Sequence, residues 1–362
     1  MSKEETKSVD PLSLIRPKIR DIKAYSIDHS PAPVILDANE SPFTPPRKIL
    51  ERMLVVMAGT PMNRYPDMEA MALRAAIAHK DGAAPEEVLL GNGSDELIFC
   101  LILAMMEPGE RILVPTPTFV MYETIAKSLN MEPVTVPLAE NWELDLEATL
   151  RMIKEQNPRL IFLATPNNPT GRRYPVEAIE AVAEAAPGAV VVDEAYIDFS
   201  AGGPYGLLYK SRPNVIIMRT LSKIGLAALR LGYILADKAV IENVNKVRLP
   251  YNINSMTQAA AAEALRNWDQ FIPLFTKVRQ ERDKLFAALN EISGIHAWPS
   301  EANFILMRVE DGAAERVFNA LLEHGVRVRW FAGNPRVGDC FRVTVGDPHE
   351  NSMFLAALKE AL

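Results

Sequence analysis

The feature that most limits what this chain can fold into is an alternation. From Val88 to about residue 236, short apolar runs rich in Ile, Leu and Val alternate with stretches of helical spacing. Strands are predicted over 88–90, 111–115, 133–137, 159–165, 189–193, 215–219 and 232–236, with helices near 118–129, 145–156, 175–186 and 226–231. Strands this apolar, alternating with helices, predict a mostly parallel sheet covered on both faces. Upstream, Val34 to Pro42 reads as a brief strand entering a turn, followed by helices near 45–58 and 67–80. After Pro250 the pattern changes to helices near 255–268 and 271–292, a strand at 303–309 and a helix at 313–324. Strands at 326–330 and 340–345 and a helix near 348–361 complete it. The fold class read from this is α/β, with a large domain and a smaller α+β domain. A chain of 362 residues exceeds one ordinary core. The expected organisation is an arm over 1–35, a large domain over 36–250 whose first segment partly joins the smaller one, and a small domain over 251–362.

Composition closes off several functions. A net charge of −7 lacks the basic footprint of a nucleic-acid binder. No apolar run nears the ~20 residues of a membrane helix. The opening residues MSKEETKSVD contain no apolar core, so they do not read as a secretory signal. Cys100 and Cys340, both in apolar surroundings, read as buried free thiols of a reducing compartment. The five histidines and two cysteines show no metal-ligand spacing.

Chemistry concentrates where the strands end. Val215 to Met218 leads into Arg219-Thr220-Leu221-Ser222-Lys223, so Lys223 lies just beyond a strand's carboxyl end, where open α/β sheets hold ligands. A partly desolvated lysine forms a Schiff base with an aldehyde. Ser222 offers a hydroxyl, and Arg230 a guanidinium fork suited to phosphate. A Schiff-base lysine with phosphate ligands is what pyridoxal 5′-phosphate (PLP) requires. Alone, the same stretch also fits a surface lysine at a strand-to-helix turn.

Other segments add partners. Gly91-Asn92-Gly93-Ser94-Asp95-Glu96 follows a strand and opens a helix near Ser94, which makes a phosphate cradle or an N-cap provided by Ser94 or Asp95. Pro166-Asn167-Asn168-Pro169-Thr170-Gly171 fixes Asn168 at a strand end as an amide donor, or is an ordinary Asn-Pro turn. Asp193 emerges from four apolar residues, where an isolated charge is costly. A pyridinium nitrogen would neutralise it; so would a structural ion pair, and a helix N-cap is a further reading. Tyr196, three residues on, is placed to reach a phenolate oxygen. Phe119 suits stacking on a flat heterocycle or plain core packing.

The order and spacing of Gly91 to Glu96, Thr165 to Gly171, Asp193 to Tyr196, Ser222 to Gly232 and Phe341 to Gly346 resemble the fold-type-I PLP aminotransferases. The likeness runs from about Asp37 to the C-terminus. Leu36 to Pro42, Asn63 to Asp67, Leu249 to Asn252 and Gly325 to Arg329 are most similar to the histidinol-phosphate aminotransferases among them. The resemblance implies that Lys223 carries the cofactor, Asp193 pairs with its pyridinium nitrogen, and Tyr196 and Asn168 bind its phenolate oxygen. It further implies that Phe119 stacks on the ring and that Ser94, Asp95, Ser222 and Arg230 hold the phosphate. Tyr65 is expected to reach the cofactor phosphate of a neighbouring subunit, making a homodimer with shared sites. Arg342 is expected to bind the substrate's anionic end, with Arg329 and Tyr25 as further phosphate contacts and Asn39 and Asn252 in the substrate pocket. Arg329 also reads as a solvated strand-edge charge. The family usually carries Tyr at the position of Phe119, and the interval from Lys223 to Arg230 is one residue shorter than in many relatives.

The implied reaction is cytoplasmic histidine biosynthesis: L-histidinol phosphate and 2-oxoglutarate give imidazole-acetol phosphate and glutamate by ping-pong transamination. A broad aromatic aminotransferase and an O-phospho amino acid decarboxylase are the alternatives. A regulator that binds PLP without catalysis would need a DNA-binding module, and no basic helix-turn-helix is present.

Overall fold

Seven strands form the central sheet of the computed structural model, which describes residues 10–24, 31–310 and 312–362. In chain order the strands of the protein are β1 (Val34–Leu36), β2 (Val88–Asn92), β3 (Arg111–Thr116), β4 (Glu132–Pro137), β5 (Leu160–Ala164) and β6 (Ala189–Asp193). They continue with β7 (Val215–Thr220), β8 (Leu231–Leu235), β9 (Ile295–Ala297), β10 (Phe304–Val309), β11 (Val326–Trp330) and β12 (Cys340–Thr344). The larger sheet runs β2-β8-β7-β6-β5-β3-β4, and only β8 lies antiparallel to its neighbours. This is the mostly parallel α/β sheet that the apolar runs predict.

Its strands are apolar on both faces because both are covered. Leu113, Ile161, Leu163, Val190, Val192 and Ile217 face one core, while Ile112, Phe162, Val191, Ile216 and Met218 face the other. The period of two sends alternate side chains to opposite sides.

The smaller sheet, β1-β11-β12-β10-β9, is mixed, with β1 parallel to β11 and the other pairs antiparallel. Val34 and Leu36 therefore pack with Ile305, Met307, Val326 and Phe341, although some 270 residues separate β1 from its companions in the chain. The other face of β10, through Phe304 and Leu306, joins the large core. One side of β10 thus belongs to each body, which brings β12 beside the carboxyl ends of the large sheet.

One predicted helix is corrected. Residues 226–231 do not form a helix: Ser222–Leu226 is a π turn, Ala227–Leu229 a 3-10 turn, and β8 begins at Leu231. The apolar spacing suggested a helix, but Gly225 at φ +92° and Arg230 at φ +48° break the regular backbone. Among the described residues, no helix is long and apolar enough to cross a membrane.

Candidate active site

Three parallel strands end side by side. Ala164 at the end of β5 pairs with Asp193 at the end of β6, and Asp193 with Met218 of β7. Asn168 follows β5 in its proline-bounded loop, and Lys223 lies three residues beyond the end of β7 in the π turn. The turn presses on the segment before the helix Arg47–Ala58: a Cβ at Gly225 would stand 2.8 Å from the Phe43 carbonyl oxygen. That contact directs Lys223 inward, where Nζ donates to the Ala38 carbonyl at 3.2 Å.

Glycines clear a second approach. Gly93, at φ +82°, is the N-cap of the helix Ser94–Met105, and a Cβ there would meet Arg230 Nη2 at 2.7 Å. A Cβ at Gly232 would meet the Ser94 nitrogen at 2.7 Å. Helix N-terminus, Arg230 and β8 converge only because both positions lack side chains. Neither Ser94 nor Asp95 is the N-cap; they are the first two helical residues. Asp95 Oδ2 is 3.7 Å from Arg230 Nη2, and its buried Oδ1 has no hydrogen-bond partner. Free N–H groups beside a guanidinium form an anion cradle.

The charges in the pocket are set by burial. Burial pulls the Lys223 amine down from 10.5 to about 8, with the Arg342 charge next in size. Asp193 is pushed up to about 6, again chiefly by burial, against hydrogen bonds from the Tyr122 hydroxyl and the Ala195 N–H. Those two donors are neutral: Tyr122 Oη to Oδ2 at 2.5 Å and Ala195 N to Oδ1 at 3.0 Å. A carboxylate so placed favours a cationic guest.

Ser94, Asp95, Phe119, Asn168, Asp193, Tyr196, Ser222, Lys223 and Arg230 all line this pocket. Asn39 sits beneath it, donating through Nδ2 to the Tyr196 hydroxyl at 2.9 Å. Arg329 and Arg342, register partners on β11 and β12, line an adjoining cavity with Phe119 and Asn168. Two expected residues are elsewhere. Asn252 leaves the substrate pocket: its Nδ2 donates to Glu96 Oε2 at 2.8 Å, and its Oδ1 accepts from Arg248 at 2.6 Å. Pro250 and the left-handed Tyr251 (φ +58°) turn it toward the helix Ser94–Met105 instead. Tyr65 is 81% exposed and stacks on Tyr251, ring centroids 4.7 Å apart, away from its own chain's pocket. Tyr25 lies outside the described residues.

The sequence reading missed Tyr122, Thr220 and Arg336. Tyr122 had a signal, since it follows Phe119 by one helical turn and so faces the same way. Thr220 also had one, as the last residue of the strand before Ser222; its hydroxyl bonds that of Ser222 at 2.9 Å. Arg336 had none, because its partners are carbonyls of distant strand ends.

The donor set fits PLP. A desolvated amine suits an aldehyde, a buried carboxylate with neutral partners suits a protonated pyridine nitrogen, and the glycine-cleared cradle suits a phosphate. Fold and site together define a PLP-type α/β transferase. The family model for class I and II aminotransferases matches residues 32–358, and the chain belongs to that family. It is 43% identical to histidinol-phosphate aminotransferase 2 of Nitrosococcus oceani, over 95% of this chain and 96% of the relative. It is 38% identical to histidinol-phosphate aminotransferase of Aquifex aeolicus, over 96% of this chain and 98% of that one. The crystal structure of the Sinorhizobium meliloti histidinol-phosphate aminotransferase in complex with pyridoxal-5′-phosphate superposes with a TM-score of 0.88 at 27% identity, covering 96% of this chain and 97% of that one.

Proposed function

We propose that this protein is a PLP-dependent histidinol-phosphate aminotransferase. It moves the amino group of L-histidinol phosphate to 2-oxoglutarate, giving imidazole-acetol phosphate and glutamate. The observation that carries the reading is the pair Arg329 and Arg342 in a cavity adjoining the Lys223 and Asp193 pocket. Histidinol phosphate has no carboxylate, so its phosphate must sit where the oxo acid's carboxylate later binds. Paired guanidinium groups accept either anion. The named relatives, alike over nearly their whole length, support the same substrate.

PLP, when bound, supplies an electron sink for the bonds of the amino-bearing carbon. Lys223 would hold the cofactor through Nζ, and its free amine would serve as the base toward the substrate carbon. An amine with a pKa near 8 has a far larger neutral fraction near neutral pH than an ordinary lysine at 10.5, as a base requires. Asp193 would accept from the protonated ring nitrogen, Asn168 and Tyr196 would donate to the phenolate oxygen, and Phe119 would lie against the ring. Ser94, Asp95, Ser222 and Arg230 would hold the phosphate. Asn39, bonded to Tyr196, fixes that hydroxyl at the substrate side.

The active unit of this reading is a homodimer in which Tyr65 reaches the cofactor phosphate of a second copy. The exposure of Tyr65 and of the Tyr251 ring it stacks on supports such a contact. Two buried free thiols, Cys100 and Cys340, support a reducing, cytoplasmic setting.

The test is a half-reaction. Histidinol phosphate, phenylalanine or glutamate is added to the PLP-loaded protein and the visible absorbance of the cofactor is followed. Rapid loss of absorbance with histidinol phosphate, and slow loss with phenylalanine, is expected. The reverse order would assign an aromatic aminotransferase, and release of CO₂ a decarboxylase.

A further inference from the structure

Tyr122 is fully buried in the first turn of the helix Met121–Ser128. Its ring cannot swing: it stacks on Phe162 of β5, centroids 4.7 Å apart, and meets Phe119 edge-on at 5.6 Å. This clamp aims the hydroxyl at Asp193 Oδ2, to which it donates at 2.5 Å. The other oxygen, Oδ1, accepts from Ala195 N–H at 3.0 Å. Both oxygens are thus held in fixed directions, one by main chain and one by this phenol.

The surroundings make the phenol important. Asp95, from the helix Ser94–Met105, and Glu194, the next residue along, both add negative charge near Asp193, and the hydroxyls of Tyr196 and Tyr174 lie within electrostatic range of Tyr122. Lys223 and Arg230 line the same pocket but do not bond the carboxylate. The two neutral hydrogen bonds, from Tyr122 and Ala195, are the largest contributions that favour the ionised Asp193 against its burial.

We propose that Tyr122 is a positioning residue: its hydroxyl fixes the Asp193 carboxylate and keeps it anionic for the cofactor's protonated ring nitrogen. The inference rests on the reading that Asp193 pairs with that nitrogen. Tyr122 then contributes to cofactor affinity through Asp193. Removing its oxygen weakens PLP binding even though the ring, and all its packing, remains.

The experiment compares Tyr122→Phe, Asp193→Asn and the double variant with the parent protein, each purified with PLP. Spectral titration gives the PLP dissociation constant, and infrared difference spectra of the cofactor-free proteins follow the Asp193 carboxyl band against pH. Near-ultraviolet circular dichroism confirms that each variant is folded. Tyr122→Phe is expected to weaken PLP about tenfold, the scale of one hydrogen bond to a charged group. It should also move the carboxyl midpoint above 6. The double variant should bind PLP no more weakly than Asp193→Asn alone, because the two residues act as one unit. Independent losses that add in the double variant would overturn the inference. So would unchanged affinity in Tyr122→Phe while Asp193→Asn is impaired, and in that case the role of Asp193 would stand. Unchanged affinity in Asp193→Asn would sink the pairing of Asp193 with the ring nitrogen, and the inference with it.

Discussion

Arg342 Nη1 donates to Asn168 Oδ1 at 2.6 Å, joining a strand of the small sheet to the loop after β5 of the large one. Arginine has no acceptor, so this bond settles the orientation of the Asn168 amide: Oδ1 faces Arg342 and Nδ2 is left as the pocket's donor. The second fork nitrogen donates to the Asp37 carbonyl at 2.5 Å. The group proposed for the substrate anion therefore also orients a group proposed for the cofactor. Arg342→Gln should raise KM for histidinol phosphate and for 2-oxoglutarate together, by tenfold or more on the scale of a charge-assisted pair of about 1.5–3 kcal/mol. Steady-state kinetics with each substrate varied in turn would show it. A rise for only one of them would mean that the two anions do not share a site.

Arg342 also bears on the reactivity of Lys223. With the amine's pKa drawn down to about 8, by burial first and Arg342 second, half of it is neutral at pH 8. Labelling of Lys223 in the cofactor-free protein by a small neutral amine reagent should rise with pH around a midpoint near 8. In Arg342→Gln the midpoint should move upward, toward that of an ordinary lysine. An unmoved midpoint would assign the whole effect to burial.

Asp193 should make the empty fold less stable than it need be. Its folded pKa of about 6 lies above the 3.8 of an exposed aspartate. The folded state therefore binds the proton more tightly, so stability falls as pH rises from about 4 to 6 and stays lower above that. At about 1.4 kcal/mol per pH unit the cost to the cofactor-free protein approaches 3 kcal/mol. Cofactor-free Asp193→Asn should then unfold at higher denaturant than the parent at pH 7.5 and nearly match it at pH 4. Equal stability at both values would show that the carboxylate carries no such cost.

The buried charges behind the site should behave oppositely. Arg219 Nε meets Glu194 Oε2 at 2.5 Å, and Arg219 Nη1 meets Asp81 Oδ1 at 2.6 Å, all nearly without exposure. Arg219→Met strands the buried Glu194 carboxylate and takes one of two cations from Asp81, which keeps Lys80 at 2.8 Å, and should cost about 3–5 kcal/mol. Glu194→Gln leaves Arg219 paired with Asp81 and should cost less. Urea unfolding of the two variants gives the order, and a milder effect for Arg219→Met would contradict it.

These residues also show what could be read from the chain alone. Asp193 and Lys223 stood out because each follows an apolar run, and the sheet's burial on both faces leaves its charges at the strand ends. The likeness to known aminotransferases assigned Asn168 and Arg342 separate roles, but their mutual bond depends on β10 bridging two cores. Asn252 was misplaced because a left-handed residue before it reverses the chain locally. Tyr122 escaped because its contact with Asp193 needs both the strand register and the helix start. The helix expected over 226–231 is absent because Gly225 just before it and Arg230 within it both take positive φ, which residue spacing does not reveal.

Arg336 is the clearest case of a contact invisible in sequence, and it carries the last prediction. It lies in the loop joining β11 to β12, the strands that hold Arg329 and Arg342. Its Nη1 donates to the Leu138 carbonyl at 2.7 Å and to the Thr116 carbonyl at 3.3 Å, and its guanidinium lies 5.0 Å from the Trp142 ring centroid. The loop is thereby tied to the ends of β3 and β4, the wall that leads into Phe119. Nothing in these contacts touches the Lys223 pocket. Arg336→Ala should therefore leave the PLP dissociation constant unchanged. It should raise KM for both anionic substrates about three- to tenfold, since each charged bond to a carbonyl contributes about 1.5–3 kcal/mol and only part of that is transmitted to the neighbouring arginines. Spectral titration and steady-state kinetics on the same preparation separate the two effects. Loss of PLP affinity in Arg336→Ala would show that the loop supports the cofactor pocket itself rather than the anion site beside it.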